Sequence, residues 1–335
     1  MSTTPTMNDV AREAGVSLKT VSRYVNGETN IDPVLVDRIG AAIGKLGYRR
    51  NLAAASIRPG WTSRTLGLII VDVANPYYSV LTRAVEATAR DNGYLLISAS
   101  SDEDGARHDR LVDRLMEQRV DGLLIVPPRG SARSWADVAP PVPPIVFLDR
   151  PVPGDRTNDT RFDTVLADNA GGAHAATANL LDGGARRVAF VGDALDIHTM
   201  RERHRGYLDA LGEAGITVDE RLVRTDAHAA DQAAESVARL LAETDVDAVF
   251  AANNRAAIGA LTAFRRAGRR LPLIGFDDFE AATLSEPPVS VVSQDVAEMG
   301  RTAAALLIAR LAGTPEQQGT RTLPTRLVLR GSERC

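Results

Sequence analysis

The sequence predicts an α/β chain built from a three-helix head, a short hinge and a two-lobed, doubly wound core. Three observations predict it. Residues 6–26 read as two short helices about a tight turn, residues from Leu66 onward alternate short apolar strands with amphipathic helices, and that alternation starts afresh near Thr164.

The head comes first. In TMNDVAREAGVSLKTVSRYVN, Thr6 and Asp9 form a capping-box-like start, Val10, Ala11 and Ala14 supply one apolar face, and Gly15 breaks the helix. Ser17 caps a second helix. At helical spacing Thr20, Val21, Tyr24 and Val25 fall on one side, while Leu18, Lys19, Ser22 and Arg23 fall on the other. A third helix has Asp32 as cap, Pro33 in its first turn, a stripe of Val34, Leu35, Ile39, Ala42, Ile43 and Leu46, and Gly47 as stop. This is the layout of a DNA-reading helix-turn-helix.

The run D-V-A-x-x-A-G-V-S-x-x-T-V-S-R-x-x-N resembles the amino-terminal signature of the lactose/galactose-repressor (LacI/GalR) family, and the resemblance continues through almost the whole chain. It implies that Leu18, Lys19 and Arg23 read a major groove. Arg23 suits bidentate contact with guanine, Lys19 guanine or phosphate, and Leu18 a thymine methyl. Thr6, Ser17, Thr20 and Ser22 suit phosphates, which fix position without specifying sequence. The linker YRRNLAAASIRPGWTSR resembles the family's hinge helix, with Asn51 at its start and Ala54 and Ile57 on its DNA side. Ile57 takes the place of a minor-groove wedge, which works only when two hinges meet, so the resemblance implies a homodimer on pseudo-palindromic double-stranded DNA. Two departures fall here: Arg50 stands where proline is common, and Ala55 where arginine or glutamine is common.

Composition agrees with a basic head on an acidic body. Residues 1–60 carry eight Lys/Arg against five Asp/Glu, and the remainder 31 against 38, for a formal net charge of −4. The single cysteine, Cys335, excludes an intramolecular disulfide and a multi-cysteine metal site. No apolar run reaches the ~18 residues of a membrane span, and the opening MSTTPTMNDV has no secretory apolar region, so a cytoplasmic protein is expected. No phosphate loop, dinucleotide fingerprint or nucleophile elbow is present, and the five histidines are scattered and read as solvated; no enzyme activity, cofactor or metal is expected.

The core's first series of strands is LGLIIV, YLLISA, GLLIVP and PIVFLD, with helices near 77–92 and 106–118; APPVPP at 139–144 is a stiff connection. The second series has a helix through 170–182, strands RVAFV, LVRT, AVFAA and LPLIGF, and helices near 201–214, 230–243 and 256–267. A helix at 296–311 and a strand at 325–329 close the lobes. The expected division is head 1–50, hinge 51–63 and core 64–335, with lobe 1 at about 64–162 and 292–322 and lobe 2 at about 163–291 and 323–331. The resemblance implies three chain crossings between lobes, as in periplasmic sugar-binding proteins. Ligand then sits between the lobes, at the carboxyl ends of the strands. Lacking a carboxyl-terminal heptad segment, the chain is expected to form a dimer rather than a tetramer.

Within that cleft the resemblance assigns seven residues. Tyr77 and Tyr78, in VDVANPYY, can stack on a ring, with at least one expected to pack in the core. Arg203, three residues before Gly206 in MRERHRGY, matches a ligand-clamping arginine whose fork suits vicinal hydroxyls, a carboxylate or a purine edge. Asp277, in IGFDD, ends a strand and can accept hydroxyl hydrogens, while Asp278 can cap the next helix. Asn253, Gln294 and Asp149 match further polar positions. Two cleft positions depart from the family: Asn254 replaces an aspartate, and Ala227 stands where an aromatic wall often lies, which predicts a wider pocket.

The expected function is a ligand-responsive repressor of carbohydrate-use genes, released by a sugar. A purine- or nucleoside-dependent corepressor is the alternative; a pure solute-binding protein would carry a secretory leader and no basic head.

Overall fold

The computed structural model describes residues 5–49, 62–131, 133–135, 142–152, 162–314 and 319–334. The hinge residues Asn51, Ala54 and Ile57, and the departures Arg50 and Ala55, lie outside them. The chain divides into two compact units, Met1–Ser63 and Arg64–Cys335.

Among the described residues of the first unit three helices form, α1 (Met7–Ala14), α2 (Leu18–Val25) and α3 (Pro33–Leu46). Thr6 and Asp9 cap one another: the Thr6 amide donates to Asp9 Oδ2 at 2.9 Å and the Asp9 amide to Thr6 Oγ1 at 3.4 Å. Gly15 ends α1 at φ +61°, a left-handed turn that glycine adopts without strain. Arg38 of α3 clamps that turn, donating to the Ala14 carbonyl at 2.6 Å. Ser17 caps α2 through the Thr20 amide, and Asp32 caps α3 through the Val34 amide. The apolar stripes meet in a core of Val10, Ala11, Ala14, Val21, Ile39 and Ala42. Fully burying Val10, Val21 and Ile39 contributes about 1.5–3 kcal/mol each, which has to hold so small a body together.

The second unit contains two six-stranded sheets. The first holds β1 (Thr65–Ile70), β2 (Leu95–Ser100), β3 (Gly122–Ile125), β4 (Ile145–Leu148), β5 (Asp163–Ala167) and β11 (Thr320–Leu323), in the order β11-β5-β4-β3-β1-β2. The second holds β6 (Val188–Val191), β7 (Val223–Arg224), β8 (Ala248–Ala251), β9 (Leu273–Phe276), β10 (Ser290–Gln294) and β12 (Thr325–Val328), in the order β12-β10-β9-β8-β6-β7. The two orders correspond position by position. Every pairing is parallel except β10 with β12. Strands β3, β4, β6, β8 and β9 are buried along their whole length, as parallel strands covered on both faces require.

The lobe 1 helices are α4 (Pro76–Asp91) and α5 (Gly105–Glu117), joined late in the chain by α10 (Val296–Leu311); lobe 2 has α6 (Asn169–Asp182), α7 (His198–Glu213), α8 (Ala230–Glu243) and α9 (Asn254–Ala267). Met299, Ala303 and Leu307 of α10 pack with Leu66, Leu124 and Val146 under the first sheet. The chain crosses between lobes three times, at Asp168, Asp295 and Pro324. The two aspartates also cap the helices they lead into, through the amides of Gly171 and Glu298.

Four expectations are corrected. Residues 163–167, assigned to lobe 2 from the sequence, pair with β4 in the first sheet, and residues 292–294, assigned to lobe 1, belong to β10 of the second. Strands β5 and β11 escaped the sequence reading because DTVLA is short and its neighbour TRTL is mostly exposed and polar, so neither shows a long apolar run. Asp278 caps no helix; its carboxylate pairs with Arg330 at 2.6 Å. His108 is 1% exposed rather than solvated, because α5 turns it into the lobe.

Candidate functional site

In the head, Leu18 (45% exposed) and Lys19 stand at the open start of α2. The hydroxyls of Thr6, Ser17 and Thr20 take part in the caps: Thr6 donates to Asp9, and Ser17 and Thr20 bond each other at 2.8 Å. Ser22 also has a partner. Arg23 is not an open fork. Its Nε donates to Glu28 at 2.7 Å and its Nη2 to the Asn30 carbonyl, which occupies two of its five N–H donors and fixes the orientation of the fork.

A cleft of about 220 Å³ opens between the lobes. Its walls come from residues just past strand ends: Asp72 after β1, Asp149 after β4, Asp193 after β6, Asn253 after β8 and Asp277 after β9. That is where parallel α/β sheets place ligands. Asp149 and Asp277 stand at corresponding points of the two lobes. Both hold left-handed backbone, φ +66° and +70°, and each donates its amide to the neighbouring strand, to Val165 O and Val292 O. This conformation is costly for a non-glycine residue and is kept where a carboxylate has to be aimed.

In lobe 1 both tyrosines are buried and both still line the cleft. The Asn75 side chain caps α4 through the Tyr77 amide, and the rings meet edge to face at 5.0 Å. Tyr77 and Tyr78 donate their hydroxyl hydrogens to the two oxygens of Asp149, at 2.8 and 3.1 Å. Burial pushes the Asp149 carboxyl above the usual carboxylate range and Asp277 adds to that, against the opposing pull of Arg150, the Tyr77 hydroxyl and Arg203. Burial, reinforced by Asp149, keeps both tyrosines protonated far above their ordinary range.

In lobe 2, Arg203 is 3% exposed and held on several sides. It donates to Asn169 Oδ1 at 2.8 Å and to the Ala252 carbonyl at 2.7 Å, reaches Asp277 at 3.3 and 3.4 Å, and lies 3.7 Å from the centre of the Phe276 ring. Gly206 makes this possible. A Cβ there would meet the Ala170 carbonyl at 2.1 Å, so only glycine lets α7 approach α6 closely enough for Arg203 to reach Asn169. Gln294 is absent from the cleft wall and stands behind it, donating to Asp277 at 2.6 Å. Asn253 lines the cleft and caps α9 through the Ala256 amide.

Several cleft residues were missed in the sequence. Asp72 and Asp193 obey the same strand-end rule that pointed to Asp277. Arg150 follows Asp149 directly and forms a buried two-pronged pair with Glu103, at 2.6 and 3.0 Å. Burial disfavours the charge on each; Arg150, with the Arg129 amide and His228, nonetheless moves Glu103 below the ordinary range, and Tyr78, Glu103 and Asp149 move Arg150 above it. Ala227 is fully buried within lobe 2 and is no gap in the wall, since the adjacent His228 lines the cleft and bonds Asp193 at 2.7 Å. Among the described residues two bonds tie the lobes together. Arg255 pairs with Asp72, and Asn254 donates to Asn75 Oδ1 at 2.9 Å, a bond that an aspartate at position 254 has no hydrogen to make. Both partners of the ion pair are about one quarter exposed, which limits its worth to about 1 kcal/mol. Arg255→Ala is therefore expected to weaken effector binding by about two- to fivefold in a direct titration, and unchanged affinity would show that the pair does not favour closure.

Among the described residues no group of His, Cys, Asp and Glu is arranged to hold a metal, and no helix is long and apolar enough to cross a membrane. A helix-turn-helix head and a two-lobed α/β core with its cleft at the strand ends define a ligand-binding DNA-binding regulator.

The chain matches the family described as bacterial regulatory proteins, lacI family, over residues 6–51, and the periplasmic binding protein-like domain over residues 177–333. It is 31% identical to the HTH-type transcriptional regulator GalS of Salmonella typhimurium (98% of this chain, 96% of that one) and 33% identical to CelR of Thermobifida fusca (98% of each). It is 32% identical to the ribose operon repressor of Escherichia coli, over 98% of this chain and 99% of that one. Among solved structures, a CelR–cellobiose complex matches at 31% identity with TM-score 0.71, covering 98% of this chain and 99% of that one. The lac repressor dimer bound to operator and the anti-inducer ONPF matches in fold at TM-score 0.83 and 23% identity, over 99% and 100%. The protein belongs to the LacI family of transcriptional regulators, and its activity is regulatory rather than enzymatic.

Proposed function

We propose that the protein is a cytoplasmic, dimeric repressor of carbohydrate-utilisation genes, which grips a pseudo-palindromic operator and is released when a sugar enters the cleft. The observation that carries this reading is the balance of the cleft wall, six carboxylates (Asp72, Asp102, Glu103, Asp149, Asp193, Asp277) against three guanidiniums (Arg150, Arg203, Arg255). Such a wall is rich in hydrogen-bond acceptors and suits a ligand rich in hydroxyl donors. That relatives include a ribose operon repressor and a regulator solved with cellobiose supports it.

On the DNA side, Leu18, Lys19 and Arg23 read bases, Thr6, Ser17, Thr20 and Ser22 meet phosphates, and Asn51, Ala54 and Ile57 engage the minor groove when two hinges pair. In the cleft, Arg203, Asp277 and Asn253 meet the sugar hydroxyls, Tyr77, Tyr78 and Asp149 form the facing wall, and Gln294 orients Asp277. Ligand changes the population of lobe arrangements able to order the hinges.

Thermal unfolding across mono- and oligosaccharides, nucleosides and purines tests this reading. A ligand at 100 times its dissociation constant adds about 2.7 kcal/mol. The expected result is an upward shift from one sugar, which then lowers DNA affinity. A shift confined to nucleosides or purines, or a ligand that tightens DNA binding, overturns it.

A further inference from the structure

The imidazole of His228 stands on the lobe 2 wall of the cleft, with half of its side chain exposed. The chain is pinned on either side of it. The Ala227 amide donates to the Gly192 carbonyl at 3.0 Å, which sets Ala227 into the lobe 2 core, and the His228 carbonyl accepts from Arg255 at 3.2 Å. Asp193 directly follows Gly192 and meets the ring, its Oδ2 lying 2.7 Å from Nδ1. The other oxygen of Asp193, Oδ1, accepts from the Ala194 amide at 2.7 Å, so the carboxylate is held from turning.

This arrangement decides which ring nitrogen carries the hydrogen. A carboxylate only accepts, so Nδ1 donates to Asp193, and in the neutral ring Nε2 is left as a bare acceptor. Nε2 has no hydrogen-bond partner among the described residues. The six carboxylates of the wall are in a different state, since each already accepts a hydrogen bond on both oxygens. Glu103, on the other lobe and within electrostatic range of His228, is one of them: Arg150 and the Arg129 amide occupy it, and it makes no bond to the ring.

We infer that His228 is a specificity-determining residue of the cleft, which accepts one hydroxyl hydrogen of the effector at Nε2, and that Asp193 is the positioning residue that fixes its tautomer. The inference rests on the sugar reading above and adds that one hydroxyl is read as a donor. A group of similar size that has no hydrogen to give, such as fluorine, is refused at that point, because it sets its lone pairs against that of Nε2.

The test titrates glucose, galactose, ribose and cellobiose, each with its monodeoxyfluoro derivatives, into the full chain and into the His228→Ala, Asp193→Asn and Arg255→Ala variants. In the unaltered protein, fluorine at one hydroxyl position is expected to weaken binding about tenfold or more relative to the parent sugar. In His228→Ala the parent itself binds more weakly and the penalty for fluorine shrinks to within about twofold. In Asp193→Asn the Ala194 amide keeps the side-chain oxygen, the new amide nitrogen donates to Nδ1, and the hydrogen moves to Nε2, so the penalty falls there as well. Arg255→Ala weakens parent and derivative alike, which separates the reading of a hydroxyl from closure of the lobes. Nitrogen-15 spectra of the imidazole at alkaline pH, recorded without any sugar, are expected to show hydrogen on Nδ1 in the unaltered protein and on Nε2 in Asp193→Asn. The inference is overturned when no fluorine penalty depends on His228, or when Nε2 carries the hydrogen in the unaltered protein; a parent sugar that binds in either case leaves the sugar reading standing. Binding by none of these sugars overturns both.

Discussion

Ile39→Ala is expected to unfold the head and abolish DNA binding while leaving the core folded. Ile39 is fully buried and packs in α3 among Val10, Ala11, Ala14, Val21 and Ala42. Removing three methyl or methylene groups from such a site costs about 2–5 kcal/mol, because the two short helices facing it have little freedom to close the gap. A body of this size rarely holds more than about 3–5 kcal/mol in total, so the substitution uses most or all of it. Hydrogen exchange reads the result without knowledge of the operator. Amides of α1, α2 and α3 lose their protection, while those of β1, β3, β4, β8 and β9 keep theirs. Retained protection in α3 would mean that the head draws its stability from outside the cluster described here.

Arg203→Ala is expected to destabilise the core by about 3–5 kcal/mol and to abolish the response to effector. The loss reaches beyond one ion pair. Asp277 would keep Gln294 but lose its buried cation, the Ala252 carbonyl and Asn169 would lose their donors, and the face of Phe276 would lose the guanidinium above it. Denaturant unfolding measures the first effect, and effector titration the second. Arg203→Lys separates them: it restores the charge without the planar fork, so part of the stability is expected to return while the response stays lost. A cost under about 1 kcal/mol in Arg203→Ala would show that these contacts are replaced by water rather than integral to the lobe.

Most of the fold was legible because its signals are local. Caps at Thr6, Ser17 and Asp32, stops at Gly15 and Gly47, and the apolar strands all lie within a few residues of what they specify. Strands β5, β10 and β11 were not, since none carries a long apolar run, and β5 also pairs with β11, 156 residues on by register. At the site, Arg203, Asp277 and Asn253 were found through the resemblance, and all three line the cleft. What stayed hidden was the division of labour around them. Nothing in the spacing says that Gln294 backs Asp277, that Arg23 is tied to Glu28, or that His228 rather than Ala227 faces the cleft, because these depend on which way neighbouring side chains turn in the folded chain.

The correspondence between the two sheet orders has a consequence for how a ligand is oriented. Asp72 and Asp193 follow equivalent strands by the same step, and so do Asp149 and Asp277. A molecule in the cleft therefore meets a repeated set of acceptors from above and below, and these alone would hold it nearly as well upside down. Handedness has to come from the places where the repeat is broken. The residue after Asp149 is Arg150, which lies in the cleft wall, whereas the residue after Asp277 is Asp278, drawn away to Arg330. Under the proposed reading, the repeated aspartates set how many hydroxyls are welcome, and the unrepeated arginines decide which way round the molecule goes in.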